Sequence, residues 1–191
     1  VMSGPAAACP SFLASPTGGK GTSVILPQGA GFSRIKRNEP VFVDMVGIYN
    51  GYIADATRIF SLGPLEPKLQ EAYQAACQIE EDVARQLSAG KTGRELFQLS
   101  EATGADLGYQ DYLGGAPGSK CGFVGHGVGL ELDEYPVIGP LDHELHSNMT
   151  IAIEPKIIYP DKGVLGIEDT FLTSRGAAVS LTRMPRDIWQ V

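Results

Sequence analysis

The sequence contains few of the residues that build disulfide frameworks and thiolate metal sites. Its 191 residues include three cysteines, Cys9, Cys77 and Cys121, which are scattered and form no CxxC pair. An odd, dispersed set of this kind predicts a protein of a reducing compartment, the cytoplasm. The chain also lacks an apolar run of ~18 or more residues, the length that a membrane-spanning helix requires.

Positive charge is scarce as well. The chain has 15 Lys and Arg against 22 Asp and Glu, which gives a net charge of −7. Nucleic acids and anionic membranes are bound by basic surfaces, so we expect neither as a partner. The 24 glycines and 13 prolines argue against an all-helical bundle, while the apolar fraction of 43% is enough for the core of one domain.

Hydrophobic periodicity predicts the order hairpin, two helices, glycine-rich segment, hairpin. Residues 39–63 are typical of two strands joined at Asn50-Gly51, a dipeptide that tolerates the positive φ angles of a tight turn. The second hairpin is predicted from strand-like runs at 150–159 and 163–174.

The two predicted helices lie between the hairpins. Apolar residues recur at three- and four-residue steps over 66–87, which indicates a helix. Thr92 and Glu95 have the spacing of a capping box, which predicts the start of a second helix. One further strand-like run is predicted within 22–31.

Four acidic residues interrupt the apolar strand runs. They are Asp44 in VFVDMV, Asp55 in YIADATRIF, Glu154 in IAIEPKII and Glu168 in VLGIEDTFL. Acidic residues are depleted in strands, and a charge on a half-buried strand costs free energy unless something neutralises it. Any one of them could face solvent, but four in two hairpins indicate a bound cation.

The expected strand registers bring these carboxylates together in pairs. A two-residue Asn-Gly turn makes Asp44 and Asp55 diagonal neighbours on one face, roughly 7–8 Å apart at the backbone. In the second hairpin, an odd-length loop centred on Asp161 would set Glu154 directly opposite Glu168. An even-length loop would place those two side chains on opposite faces.

One histidine lies in a segment with further acids. His126 stands between two glycines in GHGVGLELDEYP, residues 125–136, ahead of Glu131, Asp133 and Glu134. A polar surface bend would explain this segment alone, whereas a metal site would explain it together with the strand carboxylates. The other two histidines, in DHELH, form no HExxH motif and are expected in a solvated loop.

Four carboxylates and one imidazole form a ligand set that is mostly hard oxygen. Such a set suits Mn²⁺, Zn²⁺, Co²⁺ or Fe²⁺ better than Ca²⁺ or a structural zinc ion. Five ligands are too many for one small ion with an open position, and they suit two ions ~3.5–4 Å apart. Such a pair lowers the pKa of a water molecule and polarises the carbonyl that the water attacks.

These segments resemble the metal motifs of the creatinase, prolidase and methionine aminopeptidase family, the pita-bread metallohydrolases. In chain order they are VDMVGIYNGYIADATRIF, GHGVGLELDEYP, MTIAIEPKIIYP, GVLGIEDTFLTS and LTRMPRDIW. The resemblance runs from about residue 3 to residue 187 and is closest in pattern to Xaa-Pro dipeptidase and aminopeptidase P.

The resemblance implies an α+β fold with a curved antiparallel sheet, helices on its outer face and two pseudo-symmetric halves. It implies that residues 1–191 form one metallopeptidase-like catalytic domain, the C-terminal part of a longer protein with an N-terminal creatinase-type domain. Relatives of this type are often dimers, so a homodimer is a further expectation.

The resemblance also implies a role for each ligand. Asp44 would chelate one of two divalent metal ions, and Asp55 and Glu168 would bridge the pair. His126 and Glu154 would complete the second ion. Glu154 would in addition act as the general base on the attacking water.

Three further positions have roles implied outside the ligand set. Thr57 and Arg58, in the DATR segment, would support the ligands from behind. Seven positions after the metal histidine, the family's peptidases usually carry a histidine that contacts substrate, and this chain has Asp133 there. An earlier family histidine likewise has no counterpart, since Ser11 stands near its place. An ionised aspartate accepts hydrogen bonds and donates none, so Asp133 would repel an oxyanion and attract an ammonium group.

Three functions are compatible with these residues. The first is a dinuclear metal hydrolase of the Xaa-Pro dipeptidase or aminopeptidase type, with an altered substrate site. The second is a non-peptidase enzyme on the same scaffold, either creatinase-like or a lyase with Asp133 as catalytic base, acting on a small molecule. The third is a non-catalytic metal-binding or protein-binding homologue. The intact ligand set favours an enzyme.

Overall fold

Helices and antiparallel strands are mixed along the chain, as an α+β fold requires. The computed structural model describes residues 1–191, and none of its helices has both the length and the apolar character needed to cross a membrane. In chain order the elements are β1 (Met2–Ser3), α1 (Gly4–Ala7), β2 (Val41–Tyr49), β3 (Tyr52–Ser61), α2 (Pro67–Gln86), α3 (Gly93–Asp106), β4 (Gly125–Gly127), β5 (Glu134–Ile138), β6 (Thr150–Ile153), β7 (Lys156–Tyr159), β8 (Gly163–Gly166), β9 (Asp169–Leu172), β10 (Val179–Ser180) and β11 (Trp189–Gln190).

The first sheet is built on the predicted hairpin. Its strand order is β1-β2-β3-β11, and all neighbours are antiparallel except β3 and β11. Asn50 and Gly51 have φ angles of 49° and 83°, the left-handed conformation that the tight turn requires. Asp44 pairs with Thr57, two residues after Asp55. The two aspartates are therefore diagonal neighbours on one face, which confirms the predicted register.

The second predicted hairpin is present but interrupted halfway along both strands. The strand expected over 150–159 is divided into β6 and β7, and its partner is divided into β8 and β9. Pro155 lies in the gap, where its missing N–H prevents a ladder hydrogen bond. β6 and β9 belong to a sheet of order β10-β9-β6-β4-β5, while β7 and β8 form a separate ladder.

One register runs through both ladders of this hairpin. β6 pairs with β9 in the same register in which β7 pairs with β8, across the loop 160–162. This loop therefore has the odd length for which the sequence predicts Glu154 opposite Glu168, rather than the even length that would place them on opposite faces. Glu154 and Glu168 consequently lie level with each other in the gap between the two ladders.

The backbone of Glu168 pairs outside its own hairpin. Its N–H donates to the carbonyl of Thr57 at 3.3 Å, and its carbonyl accepts from the Thr57 N–H at 3.2 Å. This antiparallel bridge joins β3 of the first sheet to the segment just before β9 of the second. The two hairpins and their carboxylates are thereby held side by side.

Helix α2 packs behind both halves of the molecule. It lies within the predicted range 66–87, and the capping box of Thr92 and Glu95 at the start of α3 forms as predicted. The first part of α2 packs in one apolar cluster with Ile59 of the first hairpin and Ile157 of the second, and its end packs with Ile151 in a second cluster. The helix therefore ties the two hairpins to a shared support.

The strand expected within 22–31 is absent, so that prediction is wrong. The N–H of Gly21 donates to the carbonyl of Gly29 at 3.1 Å and closes the segment into a loop. Val24 and Ile25 are 94% and 85% exposed. An apolar run forms a strand only where a partner strand and a covering surface meet it, and this run has neither.

His126 lies in a strand and not in a polar surface bend, the alternative to a metal site for this segment. β4 is hydrogen-bonded to β5 on one side and to β6 on the other. A Cβ atom on Gly125 would collide with the carbonyl oxygen of Ala152, and one on Gly127 with that of Tyr135. The flanking glycines therefore allow close strand packing, and their lack of side chains hides the two-residue period that would have predicted the strand.

Candidate metal centre

Four buried side chains converge where the two sheets meet. Asp55 on β3, His126 on β4, Glu154 after β6 and Glu168 before β9 are each between 1% and 7% exposed. One ligand atom from each of Asp55, His126 and Glu168 lies within 4.8 Å of the other two. Glu154 joins this group through Oε1, 3.4 Å from His126 Nε2. Asp44, on the neighbouring strand β2, is exposed and lies on the solvent side of the group.

The imidazole of His126 is oriented by the backbone. Its Nδ1 lies 3.0 Å from the carbonyl oxygen of Gly127, which turns Nε2 toward the acids. Glu168 Oε1 lies 3.8 Å from Nε2, slightly farther than Glu154 Oε1. Burial lowers the pKa of His126, but the hydrogen bond and charge of Glu154 outweigh burial and raise the pKa to about 9.

Asp55 and Glu168 are crowded by like charge. Burial, and then the charge of Asp44, raise the pKa of Asp55 to about 7. Burial raises the pKa of Glu168 to about 8, an effect that Lys156 opposes and Glu154 reinforces. Asp55 Oδ1 is buried and has no hydrogen-bond partner. A partnerless carboxylate oxygen among other buried carboxylates fits a divalent cation as the missing partner.

Lys156 belongs to this cluster, and the sequence interpretation missed it. The side chain is 2% exposed, and its Nζ donates to Glu154 Oε2 and, at 3.1 Å, to Glu168 Oε2. Burial disfavours the charged form, but the charges of Glu154, Glu168 and Asp44 hold the pKa of Lys156 above its usual value. The sequence contained a signal for this contact. Lys156 follows Glu154 by two residues, and residues two apart in an extended segment point the same way.

Thr57 and Arg58 both act on Glu168. Thr57 is fully buried, and its Oγ1 donates to Glu168 Oε2 at 2.8 Å. Arg58 is fully buried as well, and all five of its N–H groups donate at 2.6–3.1 Å. The acceptors are the carbonyls of Thr57, Glu168, Met184 and Pro185 and the carboxylate of Asp169. Thr57 thus holds the side chain of Glu168, and Arg58 holds its backbone.

Asp133 lies at the exposed mouth of the cluster. Its side chain is 71% exposed, and Oδ1 is 3.4 Å from His126 Nε2. Glu134 stabilises the loop that carries it, since its Oε2 accepts the N–H groups of Leu130 at 3.2 Å and Glu131 at 3.0 Å. Ser11 does not join the cluster and instead donates to the side chain of Gln28.

Comparison with known proteins identifies the family. The profile of metallopeptidase family M24 matches residues 1–175. The chain belongs to metallopeptidase family M24. It is 34% identical over 165 residues to an Xaa-Pro dipeptidase of Pyrococcus furiosus, an alignment that covers 85% of this chain and 45% of that protein.

Solved structures of M24 proteins have the same fold. An X-Pro aminopeptidase of Thermotoga maritima superposes with a TM-score of 0.83 at 25% identity, over 100% of this chain and 48% of that one. A prolidase of Pyrococcus horikoshii superposes with a TM-score of 0.79 at 28% identity, over 98% of this chain and 48% of that one. The predicted family and pita-bread fold are confirmed, and this M24 chain spans about half the length of these relatives.

Arg58 should be necessary for the stability of the M24 chain. Replacing it with methionine removes the 2.6 Å partner of the buried Asp169 carboxylate, which then has only Arg186 at 3.9 Å, and removes one donor from each of four carbonyls. We expect Arg58→Met to lower the free energy of unfolding by about 3–5 kcal/mol, measured by urea denaturation. Arg183→Met, at an exposed position, is the matched control and should stay within ~0.5 kcal/mol of the parent chain. Equal losses in the two variants would contradict this account.

The metal-free chain should lose stability as the pH rises. The folded pKa values of about 7 for Asp55, 8 for Glu168 and 9 for His126 all exceed the ordinary values of 3.8, 4.5 and 6.5. A group of this kind stabilises the fold below its unfolded pKa, and that contribution is lost as the pH rises through the folded pKa. We therefore expect the urea midpoint of the EDTA-treated chain to fall between about pH 5 and about pH 9.

A divalent ion should oppose this decline, because it replaces the protons on the same groups. We expect Mn²⁺ to raise the urea midpoint more at about pH 8 than at about pH 5.5. Glu168→Gln should flatten the decline of the metal-free chain, while Glu101→Gln on the exposed face of α3 should leave it unchanged. A stabilisation by Mn²⁺ that is independent of pH would count against the cluster as its binding site.

Proposed function

We propose that this chain is the catalytic part of a divalent-metal-dependent peptidase of the Xaa-Pro dipeptidase or aminopeptidase type. The observation that carries the proposal is the partnerless, buried Oδ1 of Asp55 among acids from both hairpins, in a chain of family M24. The proposed ligands of two divalent ions, Mn, Co, Zn or Fe, are Asp44, Asp55, His126, Glu154 and Glu168. Bound ions would supply a water of lowered pKa and polarise the peptide carbonyl.

Glu154 is our candidate for the general base. Burial raises its pKa, but the charges of Lys156 and His126 outweigh burial and lower the pKa to about 2. The carboxylate is therefore ionised at neutral pH, as a proton acceptor must be. Its Oε2 is held by Lys156, which leaves Oε1, on the side of His126, to take the proton.

Asp133 is our candidate for recognition of the substrate amine. It projects into solvent at the mouth of the cluster, 3.4 Å from the ring nitrogen of His126. Because an ionised carboxylate only accepts hydrogen bonds, it favours a free N-terminal ammonium and disfavours a developing oxyanion. A peptide with a free amino group meets that requirement, and an N-acetylated peptide does not.

Two cavities flank the cluster and have the size for substrate side chains. One of about 530 Å³ reaches Asp55 and has a mostly apolar lining that includes Met45 and Leu181. The other, of about 360 Å³, reaches Glu154 and Lys156. The apolar cavity suits an apolar residue of the peptide, while the second offers polar groups close to the reacting bond.

A panel of dipeptides tests the peptidase proposal. Ala-Pro, Leu-Pro and Ala-Leu would be assayed after EDTA treatment and after addition of Mn²⁺, Co²⁺ or Zn²⁺. We expect turnover that depends on the metal and that Glu154→Gln lowers at least ~100-fold in kcat, because the proton acceptor is lost. Glu131→Gln, at an exposed position of the loop 128–133 that carries Asp133, is the control and should keep the parent activity. Absence of metal-dependent turnover for every dipeptide would sink the peptidase proposal.

Asp133→His should change substrate preference. The substitution replaces an acceptor with a side chain that can donate to an oxyanion, so we expect kcat/KM for Ala-Pro to rise at least ~10-fold. The preference for free over N-acetylated substrates should fall in the same variant. An unchanged kcat/KM and an unchanged preference would show that Asp133 does not contact the substrate.

A small-molecule hydrolase or lyase with Asp133 as the base is the second candidate. The exposure of this carboxylate beside His126 favours it, because a base at the mouth can reach a small substrate directly. A chain that binds metal tightly and cleaves no dipeptide would support this candidate. A chain that binds no divalent metal would exclude both enzymes and leave a non-catalytic binding homologue.

A further inference from the structure

The carbonyl oxygens of residues 184–186 all accept hydrogen bonds from buried side chains. Arg58 donates to the first two at 3.1 Å and 2.9 Å, and the hydroxyl of Tyr73 donates to the third at 2.8 Å. The same guanidinium of Arg58 donates to the carbonyl oxygen of Glu168 at 2.9 Å. Arg58 therefore connects residues 184–186, which we call the clamp, to the backbone of a proposed metal ligand.

One side chain attaches the clamp to helix α2. Arg186 Nη1 donates to Glu81 Oε1 at 2.8 Å. Arg186 Nη2 donates to Glu80 Oε2 and, at 3.3 Å, to the carbonyl oxygen of Cys77. Arg183, the preceding basic residue, is exposed. Arg186 therefore supplies the ionic attachment of the clamp to the helix.

Buried charge fixes where this attachment forms. Glu80 is 1% exposed and Asp169 is 3% exposed, so both carboxylates need a cation close by. Arg58 pairs with Asp169 at 2.6 Å. Arg186 pairs with Glu80 through Nη2, and its Nε lies 3.9 Å from Asp169 Oδ2. The clamp therefore cannot leave α2 without leaving Glu80 unpaired in the interior.

We propose that the clamp positions Glu168 for metal binding and that Arg186 is the positioning residue that holds the clamp in place. The inference rests on the proposed function, because it takes Glu168 as a metal ligand. Without Arg186, the clamp carbonyls would no longer be fixed against Arg58, and that guanidinium could shift together with the Glu168 carbonyl. Replacing groups that orient metal ligands from outside typically changes metal affinity or activity ~10–100-fold.

Metal titration of folded variants tests the proposal. After EDTA treatment, each chain would be titrated with Mn²⁺ by calorimetry under conditions in which circular dichroism shows it to be folded. We expect Arg186→Met to bind Mn²⁺ at least ~10-fold more weakly than the parent chain, because Glu168 is no longer held in position. Arg183→Met, at the exposed arginine beside the clamp, is the matched control and should bind like the parent. An unchanged affinity in folded Arg186→Met would overturn the proposal.

Amide hydrogen exchange of the metal-free chain shows whether the effect is local. The N–H groups of Thr57 and Glu168 form the bridge between the two sheets. Leu145 and Ile158 provide reference amides that are buried and hydrogen-bonded, at 2.7 Å and 2.9 Å, in other segments. We expect Arg186→Met to speed exchange at the bridge at least ~10-fold relative to the reference amides, because the bridge then opens locally. Equal acceleration at all four amides would mean that Arg186 only stabilises the whole fold, contrary to the proposal.

A double variant separates the clamp from the buried charge of Glu80. Arg186→Met alone leaves that carboxylate unpaired, which costs free energy by itself. Arg186→Met combined with Glu80→Gln removes both charges and still leaves the clamp unattached. We expect the double variant to keep the weaker Mn²⁺ binding and the faster exchange at the bridge. A return of both to parent values would assign the effect to unpaired Glu80 and refute the role of the clamp.

The clamp and the proposed function fail in different ways. A parent chain that binds no Mn²⁺ would overturn the ligand set and, with it, the role of the clamp in metal binding. A parent chain that binds Mn²⁺ no better than Arg186→Met would overturn only the clamp. A parent chain that loses affinity in Arg186→Met as expected but cleaves no dipeptide would overturn only the peptidase proposal.

Discussion

The bridge between Thr57 and Glu168 is the contact on which the rest of the centre depends. The backbones meet at 3.2 Å and 3.3 Å, and the side chains meet at 2.8 Å. Arg58 holds the bridge from behind by donating to both carbonyls. Along the chain, the hairpin that carries Asp55 and the sheet that carries His126 are connected only through two helices and a glycine-rich segment. Side chains that must meet within fractions of an ångström need a shared rigid joint, and this bridge supplies it.

Bringing acids together at that joint costs free energy, which fixed cations offset. Asp55, Glu154 and Glu168 are removed from water, and each buried carboxylate needs a neutralising partner. Lys156 and protonated His126 provide part of that charge, so the chain can fold before any metal ion binds. If an ion binds as proposed, His126 would have to lose its proton to become a ligand. The proton that helps to stabilise the metal-free fold would therefore oppose metal binding in this centre.

Features set by neighbours along the chain could be predicted from the sequence, and features set by distant partners could not. The Asn-Gly turn fixes its own geometry and with it the register of Asp44 and Asp55. The loop at 22–31 failed as a strand because pairing and cover come from elsewhere in the chain. The motifs indicated which acids converge. The buried pair of Arg58 and Asp169 was missed, because only tertiary packing decides that Asp169, directly after Glu168, faces inward.

The contrast between buried and exposed acids indicates where this centre can change during evolution. Glu154 and Glu168 are held by Lys156, Thr57 and strand pairing, so a change at either one disturbs the fold and the ligand set together. Asp133 is 71% exposed on a loop that is held by other groups, so its side chain can change without loss of packing. Under the proposed function, the interior would therefore fix the type of chemistry and the loop would set substrate preference. Lys156 belongs to the same interior set, because its buried ammonium group joins Glu154 to Glu168, so a change there would also disturb packing and charge together.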